Sequence, residues 1–184
     1  VNTPSTFAAA VTQYLKQVKT LADDRRQAAT QRAALLKAGA FDLAADPTLP
    51  HVPPAALAPV PQFDFSPLDT ALARLDKSAA AYDGALAAHG ATLTQAARTK
   101  LLTLMQSIGQ TLLVDRGLPG RDWYKNMITA PGSFTGYGAK TLPGVREAIE
   151  EERWDDATRY IGLIAGALNA YSARLDQAAA VLNG

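Results

Sequence analysis

The sequence contains no cysteine and only two histidines. Without cysteine, disulfide bonds and thiolate metal sites are excluded, while the redox compartment stays open. His51 lies in a proline-rich stretch and His89 precedes a glycine, and neither has a second potential ligand at the spacing of a zinc site. We interpret both as ordinary surface or helix-cap histidines. We therefore expect no metal and no cofactor in this chain.

Charge is sparse and evenly mixed. Charged residues make up 19% of the chain, and 18 Lys and Arg nearly balance 17 Asp and Glu, giving a formal net charge of +1. The basic residues are scattered, so we expect no nucleic-acid partner. No apolar run approaches the roughly 18 residues of a membrane span, and there is no signal-peptide layout. Because the chain begins at Val1 rather than Met, we expect it to be a processed or excised piece of a longer protein.

Catalytic motifs are also missing. Ser133 lies outside any G-x-S-x-G elbow, and the sequence has no phosphate-binding loop or dinucleotide fingerprint. The acidic residues cluster as direct neighbours, as in Glu150-Glu151-Glu152 and Asp155-Asp156, and neighbours on a helix point away from each other. We expect no catalytic residues here, and no enzyme activity from this chain alone.

The first half of the chain has mainly helical periodicity. Thr3 followed by a proline predicts a helix that runs to about Lys37. Residues 46–63 contain six prolines, which forbid a helix and favour an extended crossover whose apolar side chains lie against the bundle. Ser66, as an N-cap before a proline, predicts a second helix that ends at Gly90. The apolar side chains of the crossover are Leu49, Val52, Leu57, Val60 and Phe63.

The second half predicts three more helices, over about 92–115, 143–150 and from about Trp154 onward. Four long amphipathic helices with heptad-like stripes indicate an all-α, four-helix-bundle-like domain with a proline-rich crossover and a long loop. We assign residues 1–184 to this single domain. The last helix has the most regular apolar stripe, made of Ala157, Ile161, Ile164, Leu168, Tyr171, Leu175, Ala178 and Leu182.

The stretch from Gly117 to Gly144 fits neither a helix nor a strand pattern. Loops of this length inside compact domains are usually functional or disordered. Four aromatic residues argue against disorder, because disordered segments are poor in aromatics. We therefore predict an ordered, functional loop. Its aromatic residues are Trp123, Tyr124, Phe134 and Tyr137.

The order of residues in this loop carries a family resemblance. Gly-Leu-Pro-x-Arg-x-Trp-Tyr begins at Gly117, Ala130-Pro131 follows, and a glycine- and tyrosine-rich turn leads to Pro143-Gly144 before a helix. This order resembles the C-terminal helical domain of the transferrin receptor and glutamate carboxypeptidase II family, the transferrin-receptor-like dimerisation domain. The resemblance spans nearly the whole chain, but residues 112–150 are its specific part.

The resemblance implies a non-catalytic role. In the carboxypeptidase members a separate peptidase domain holds two zinc ions, while the helical domain forms much of the homodimer interface and sends a loop into the substrate pocket. A Lys-Tyr pair in that loop contacts the carboxylates of a C-terminal glutamate. The tyrosine falls on Tyr137 and the lysine on Gly136, so the cation is absent here. Lys140, three residues on from Tyr137, is the nearby candidate to replace it.

Other residues are expected to hold the loop or the dimer. We expect Arg121 to tie the loop to the bundle through carbonyls or a carboxylate, and Trp123 and Tyr124 to be packing anchors. Gly162 and Gly166 share a helix face that would allow close approach of a second copy in the homodimer, although two glycines simply tolerated in an Ala-rich helix explain the spacing equally well. For Tyr137, pocket lining and structural packing remain open alternatives.

Two classes of function remain. One is the dimerisation and pocket-completing domain of a periplasmic or secreted zinc carboxypeptidase-like protein, in contact with its peptidase domain. The Ala-rich composition favours this one and a bacterial origin. The other is a binding module of a catalytically inactive, transferrin-receptor-like protein. A free-standing bundle with a small ligand has least support, because no polar cluster interrupts the apolar stripes.

Overall fold

The first third of the chain is one long helix and its short continuation. A computed structural model describes residues 3–133 and 138–184. Helix α1 spans Pro4–Lys37, and the side chain of Thr3 accepts a hydrogen bond from the Thr6 amide at 3.2 Å, as the sequence predicted. A left-handed glycine then leads into α2, Ala40–Leu43, which the periodicity did not predict.

The proline-rich crossover was predicted correctly as non-helical, but its packing was predicted only in part. Phe63 is buried and Val60 packs on the core, whereas Leu49 is 65% exposed and Val52 is 86% exposed. The proline-dense stretch forms no helix and no strand from residue 50 to 65, so its apolar side chains do not share one face. The apolar contacts of Val60 and Phe63 with the core therefore lie near the end of the crossover, while Arg32 of α1 donates to the Ala55 carbonyl at 3.3 Å in its middle.

Helix α3 spans Ser66–His89, with Gly90 as its C-cap. Ser66 was predicted as the N-cap, and this was wrong, because Phe65 occupies that position. The Asp64 carboxylate accepts a hydrogen bond from the Ser66 amide at 2.9 Å. The side chain that caps the start of α3 is therefore that of Asp64, not that of Ser66. Leu86, near the end of α3, is 41% exposed.

Helix α4 is shorter than the predicted span of 92–115. It covers Gln95–Ser107, after a 3-10 turn over Gly90–Thr92, and continues as a 3-10 helix over Ile108–Leu112. Thr94 adopts an extended backbone and caps the Ala97 amide at 3.2 Å, which sets the later start. The apolar stripe continued through both boundaries, so periodicity alone could not locate them.

Helix α6, Trp154–Asn183, forms the centre of the domain. It packs most extensively against α3, and also contacts α4, the 3-10 helix and α5, Pro143–Glu150, while α1 covers α3 and α5. Every residue of its predicted apolar stripe is buried. The bounds of α5 and α6 agree with the prediction, and the domain is mostly helical as expected. Among the helices of the described residues, none combines the length and the hydropathy that a membrane span requires.

A two-stranded antiparallel hairpin interrupts the helical pattern. Strands β1, Thr129–Pro131, and β2, Ala139–Thr141, pair with Ala130 opposite Lys140. The sequence predicted an ordered loop here, without strands. A run of three residues is too short to show strand periodicity, so the hairpin emerges only from the pairing itself.

Candidate functional site in the loop and hairpin

The first arm of the loop, residues 112–127, is held in place by backbone hydrogen bonds and by burial. The Val114 amide donates to the Lys125 carbonyl at 2.9 Å, and the Met127 amide donates to the Leu112 carbonyl at 3.1 Å. Leu118 and Met127 have no exposed surface. The arm therefore folds back on itself against the bundle, and the prediction of an ordered loop is confirmed for its described part.

Tyr160 of α6 joins this arm to the bundle. Its hydroxyl donates to the carbonyl of Gly117 at 2.6 Å in a buried setting. Burial raises the pKa of the Tyr160 phenol above its ordinary value of 10.0, so the group is a neutral donor over the physiological range. Gly117 has a φ of +66°, and a Cβ there would overlap the backbone of Asp122. Glycine is therefore required at this position.

The same tyrosine supports the helix after the hairpin. A Cβ built on Gly144, in the first turn of α5, would overlap the Tyr160 ring, so glycine permits α5 to lie against α6. Leu142, just before α5, is fully buried with a left-handed φ of 47°. Its amide donates to the Ile128 carbonyl at 2.8 Å. Packing and a hydrogen bond therefore hold this strained residue where β2 turns into α5.

Arg121 and Glu147 form a buried ion pair between the loop and α5. The guanidinium donates to the Glu147 carboxylate and to the Pro131 carbonyl, so it has both the carbonyl and the carboxylate partner that the sequence predicted. Side-chain exposure is 12% for Arg121 and 3% for Glu147. The other Glu147 oxygen accepts the Ser133 amide at 3.0 Å. One carboxylate therefore links the loop, the end of β1 and α5.

A second ion pair joins the other strand of the hairpin to α5. The Lys140 ammonium group donates to the Glu150 carboxylate, and both side chains are largely buried. Lys140 was the candidate replacement for a missing substrate cation, and in the structure its charge faces Glu150. Glu150, one of the neighbouring acids in the sequence, is thus paired with strand β2 through Lys140.

The remaining loop anchors differ from each other. Tyr124 is half-buried, packs on the core and lies under the Arg121 guanidinium, which is 5.6 Å from its ring centroid. Trp123 is 73% exposed, with its ring centroid 6.2 Å from that of Tyr124. An indole this exposed does not act as a packing anchor against the described residues of this chain. Trp123 lies in a turn that is closed by the Tyr124 amide, which donates to the Arg121 carbonyl at 2.9 Å.

The predicted substrate residues Gly136 and Tyr137 lie outside the described residues. The structure describes the points where their segment leaves and rejoins the hairpin, and the Gly132 amide donates to the Gly138 carbonyl at 3.0 Å there. Both ends of the segment are thus fixed, one through Ser133 and the other through β2. The expectation for Tyr137 stays a prediction.

Gly162 and Gly166 lie on the outer surface of α6. Both are exposed, and a Cβ at either position would meet no atom of the chain within 4 Å. Neither glycine is required by packing inside the domain. The exposed surface of α6 therefore has no side chain at these two positions. The dimer role expected for this face stays a prediction.

Two residues of this site were missed from the sequence. Glu147 and Tyr160 hold the loop to α5 and α6, yet the sequence analysis singled out neither. Glu147 lies between Val145 and Ala148, and all three residues are buried on the short helix α5. An acidic residue among apolar ones in the sequence indicates a charge that is paired inside the fold. Tyr160 precedes the stripe residue Ile161, so periodicity gave it no distinct role.

No group of potential metal ligands is present in the part of the chain that the structure describes. Among those residues, no three His, Asp or Glu side chains are grouped so that they could hold a metal ion. The residues present therefore do not fit a zinc site. The carboxylates near the hairpin are instead engaged with Arg121, Lys140 and Arg153.

Comparison with known proteins shows which family this chain belongs to. A family model described as the transferrin receptor-like dimerisation domain matches residues 63–176, which include α3, the loop, the hairpin and most of α6. The chain belongs to this family. The dimerisation domain thus contains the ordered loop and the buried ion pair within its matched span.

Two curated relatives share parts of this dimerisation domain. A protein named probable glutamate carboxypeptidase from Arthroderma benhamiae is 37% identical over 67 residues, covering 36% of this chain and 9% of the relative. Probable glutamate carboxypeptidase LAMP1 from Arabidopsis thaliana is 40% identical over 47 residues, covering 25% of this chain and 7% of the relative. The matched segments are thus small fractions of the relatives' own length.

Proposed function

We propose that this dimerisation domain completes the substrate pocket of a zinc-dependent glutamate carboxypeptidase-like protein and forms its homodimer. The zinc ions and the catalytic residues belong to a peptidase domain of the same protein, in contact with this domain. The observation that carries the proposal is the match of a dimerisation family over the loop, joined to relatives named glutamate carboxypeptidase.

The geometry of the described residues supports a pocket-completing role. Residues 134–137 connect two stems that are tied to α5 through ion pairs, and α5 is in turn packed on α6. A substrate contact benefits from such a rigid base, because small misplacements are costly in catalysis. Tyr137 supplies the phenol that donates to a substrate carboxylate, and Gly136 leaves the cation of the Lys-Tyr pair missing.

The exposed Trp123 fits the proposed contact with a peptidase domain. An indole that is 73% exposed in this domain is a candidate to be covered by another. The proposed location is the periplasm or the cell exterior, by analogy with the family. The receptor-like alternative lacks catalysis, so activity of the full-length protein separates the two.

The test is steady-state kinetics on full-length protein with N-acyl dipeptides that end in glutamate or leucine. A hydrogen bond to a charged group is worth about 1.5–3 kcal/mol. Tyr137→Phe should therefore lower kcat/KM by roughly 10- to 100-fold. Gly136→Lys, which restores the cation, should raise the preference for C-terminal glutamate. An unchanged kcat/KM in a folded Tyr137→Phe variant would contradict the pocket role, and absence of any peptidase activity or bound zinc in the full-length protein would favour the receptor-like alternative.

A further inference from the structure

Glu147 is the buried charge on which the hairpin depends. It is 2% exposed, and among the residues that the structure describes it is the sole charged side chain in the core. Burial of a carboxylate is expensive unless it is paired and hydrogen-bonded. Both of its oxygens are used, one by the Arg121 guanidinium and one by the Ser133 amide at 3.0 Å. The charge is compensated by partners on the loop and the hairpin, outside its own helix.

These partners fix the stem from which residues 134–137 depart. Arg121 also donates to the carbonyl of Pro131, the last residue of β1, so the pair grips the stem at two neighbouring points. Helix α5 cannot slide without losing the fit of Gly144 against the Tyr160 ring. Glu147 and α5 thus connect the stem to the central helix α6 and fix its position.

A buried ion pair adds little stability compared with an apolar replacement, and its best-attested use is to specify one arrangement. Here the arrangement specified is the placement of the stem on α5. We propose that Glu147 is a positioning residue for substrate recognition, acting through the Ser133 amide and Arg121 on the segment that carries Tyr137. This inference rests on the proposed function, because it assigns Glu147 an effect on the substrate contact made by Tyr137.

The test is a double-mutant cycle in the full-length protein, with an N-acyl dipeptide that ends in glutamate. Glu147→Gln is isosteric, but its amide nitrogen cannot accept from either donor, so one of the two links is lost. With Tyr137 present, Glu147→Gln should lower kcat/KM by roughly 5- to 20-fold, mainly through KM, because a ground-state contact is displaced. In the Tyr137→Phe background the same change should cost less than about 2-fold.

A second variant covers the case in which Glu147→Gln does not fold. Arg121→Met together with Glu147→Leu removes both charges and keeps apolar volume, which buried pairs commonly tolerate. It also removes the link to the Ser133 amide, so it should show the same dependence on Tyr137. Asp176→Asn is the control, because it breaks an ion pair with Arg74 between α3 and the C-terminal part of α6, away from the hairpin. It should show no coupling to Tyr137.

The outcomes distinguish the inference from the proposed function. If Tyr137→Phe lowers kcat/KM but the Glu147 variants lower it equally in both backgrounds, Glu147 is only structural and the inference is wrong. The inference is equally wrong if folded Glu147 variants leave kcat/KM unchanged while Tyr137→Phe lowers it. If Tyr137→Phe has no effect, the proposed pocket role fails first and the inference fails with it.

Discussion

The helical bundle and the described part of the loop, residues 117–133 and 138–144, are ordered by different means. In the bundle, the apolar stripe of α6 is buried along its whole length against α3, α4 and α5. Such burial is spread over many side chains, each contributing about 1.5–3 kcal/mol. The loop depends instead on a few polar links made by Arg121, Glu147 and Tyr160, and on glycine at two crowded positions.

This difference decides how each region tolerates change. A distributed apolar core loses stability in proportion to the volume removed, and usually keeps its arrangement. A polar network that is satisfied by specific partners fails when one partner is lost, because the other is left buried and unpaired. The loop is therefore the more specific and the more fragile of the two regions.

The largest effect should come from breaking the buried ion pair in the loop. Glu147→Ala leaves the Arg121 guanidinium without its carboxylate in a setting where Arg121 is 12% exposed. Loss of one partner of a buried pair costs about 3–5 kcal/mol. Chemical denaturation of the isolated domain measures this loss. The double replacement Arg121→Met with Glu147→Leu should recover most of it, and a double variant as unstable as Glu147→Ala would contradict the network explanation.

A cavity in the bundle should come next. Leu168 of α6 has no exposed surface, and Leu168→Ala should lower the free energy of unfolding by about 2–5 kcal/mol. Leu102→Ala is the control, because Leu102 is 56% exposed and should change stability by less than about 0.5 kcal/mol. Denaturant titrations of both variants make the comparison. Equal losses at the two positions would show that the apolar core is not where the stability of the bundle lies.

The link between the two regions should give a smaller loss with a distinct pH dependence. Tyr160→Phe leaves the buried carbonyl of Gly117 without its donor and should cost about 1–3 kcal/mol at neutral pH. Burial raises the folded-state pKa of Tyr160, so the stability it contributes is complete below the unfolded value of 10.0 and is lost as the pH rises through the folded pKa.

Unfolding between pH 9 and 11 tests the second part of that prediction. Wild type should lose stability faster than Tyr160→Phe as the pH rises above 10. Tyr82 and Tyr171 also have pKa values raised by burial, and both remain in the variant, so the difference between the two curves isolates Tyr160. Parallel curves would indicate that the phenol is not what couples α6 to the loop.

The smallest effect on stability is expected on the outer face of α6. Gly166→Leu meets no atom within 4 Å and replaces a poor helix former, so the isolated domain should gain up to about 1 kcal/mol. In full-length protein the same bulk should weaken the homodimer if this face lies at its two-fold axis. Analytical ultracentrifugation decides the point, with the exposed Ala9 of α1 changed to Leu as the control on another helix. An undisturbed dimer would remove the Gly162 and Gly166 face from the interface.

Most of the helices and the family could be predicted from the amino-acid sequence alone. Regular apolar spacing predicted α6 and its buried stripe, and proline at the first helical position located the starts of α1 and α5. Local chemistry sufficed there, because capping, proline geometry and amphipathic spacing act within a few residues along the chain. The order of residues around Gly117, Pro131 and Gly144 indicated the dimerisation family, which the match over residues 63–176 confirms.

Only the tertiary structure decided which side chains hold the loop. Glu147 is 26 residues from Arg121 and 14 from the Ser133 amide, and Tyr160 is 43 residues from Gly117. No spacing rule links positions so far apart, since their contact depends on how α5 packs on α6. For the same reason Trp123 and Tyr124, neighbours in sequence, differ in exposure. Periodicity shows that a residue can be buried, whereas its partner is fixed by the fold.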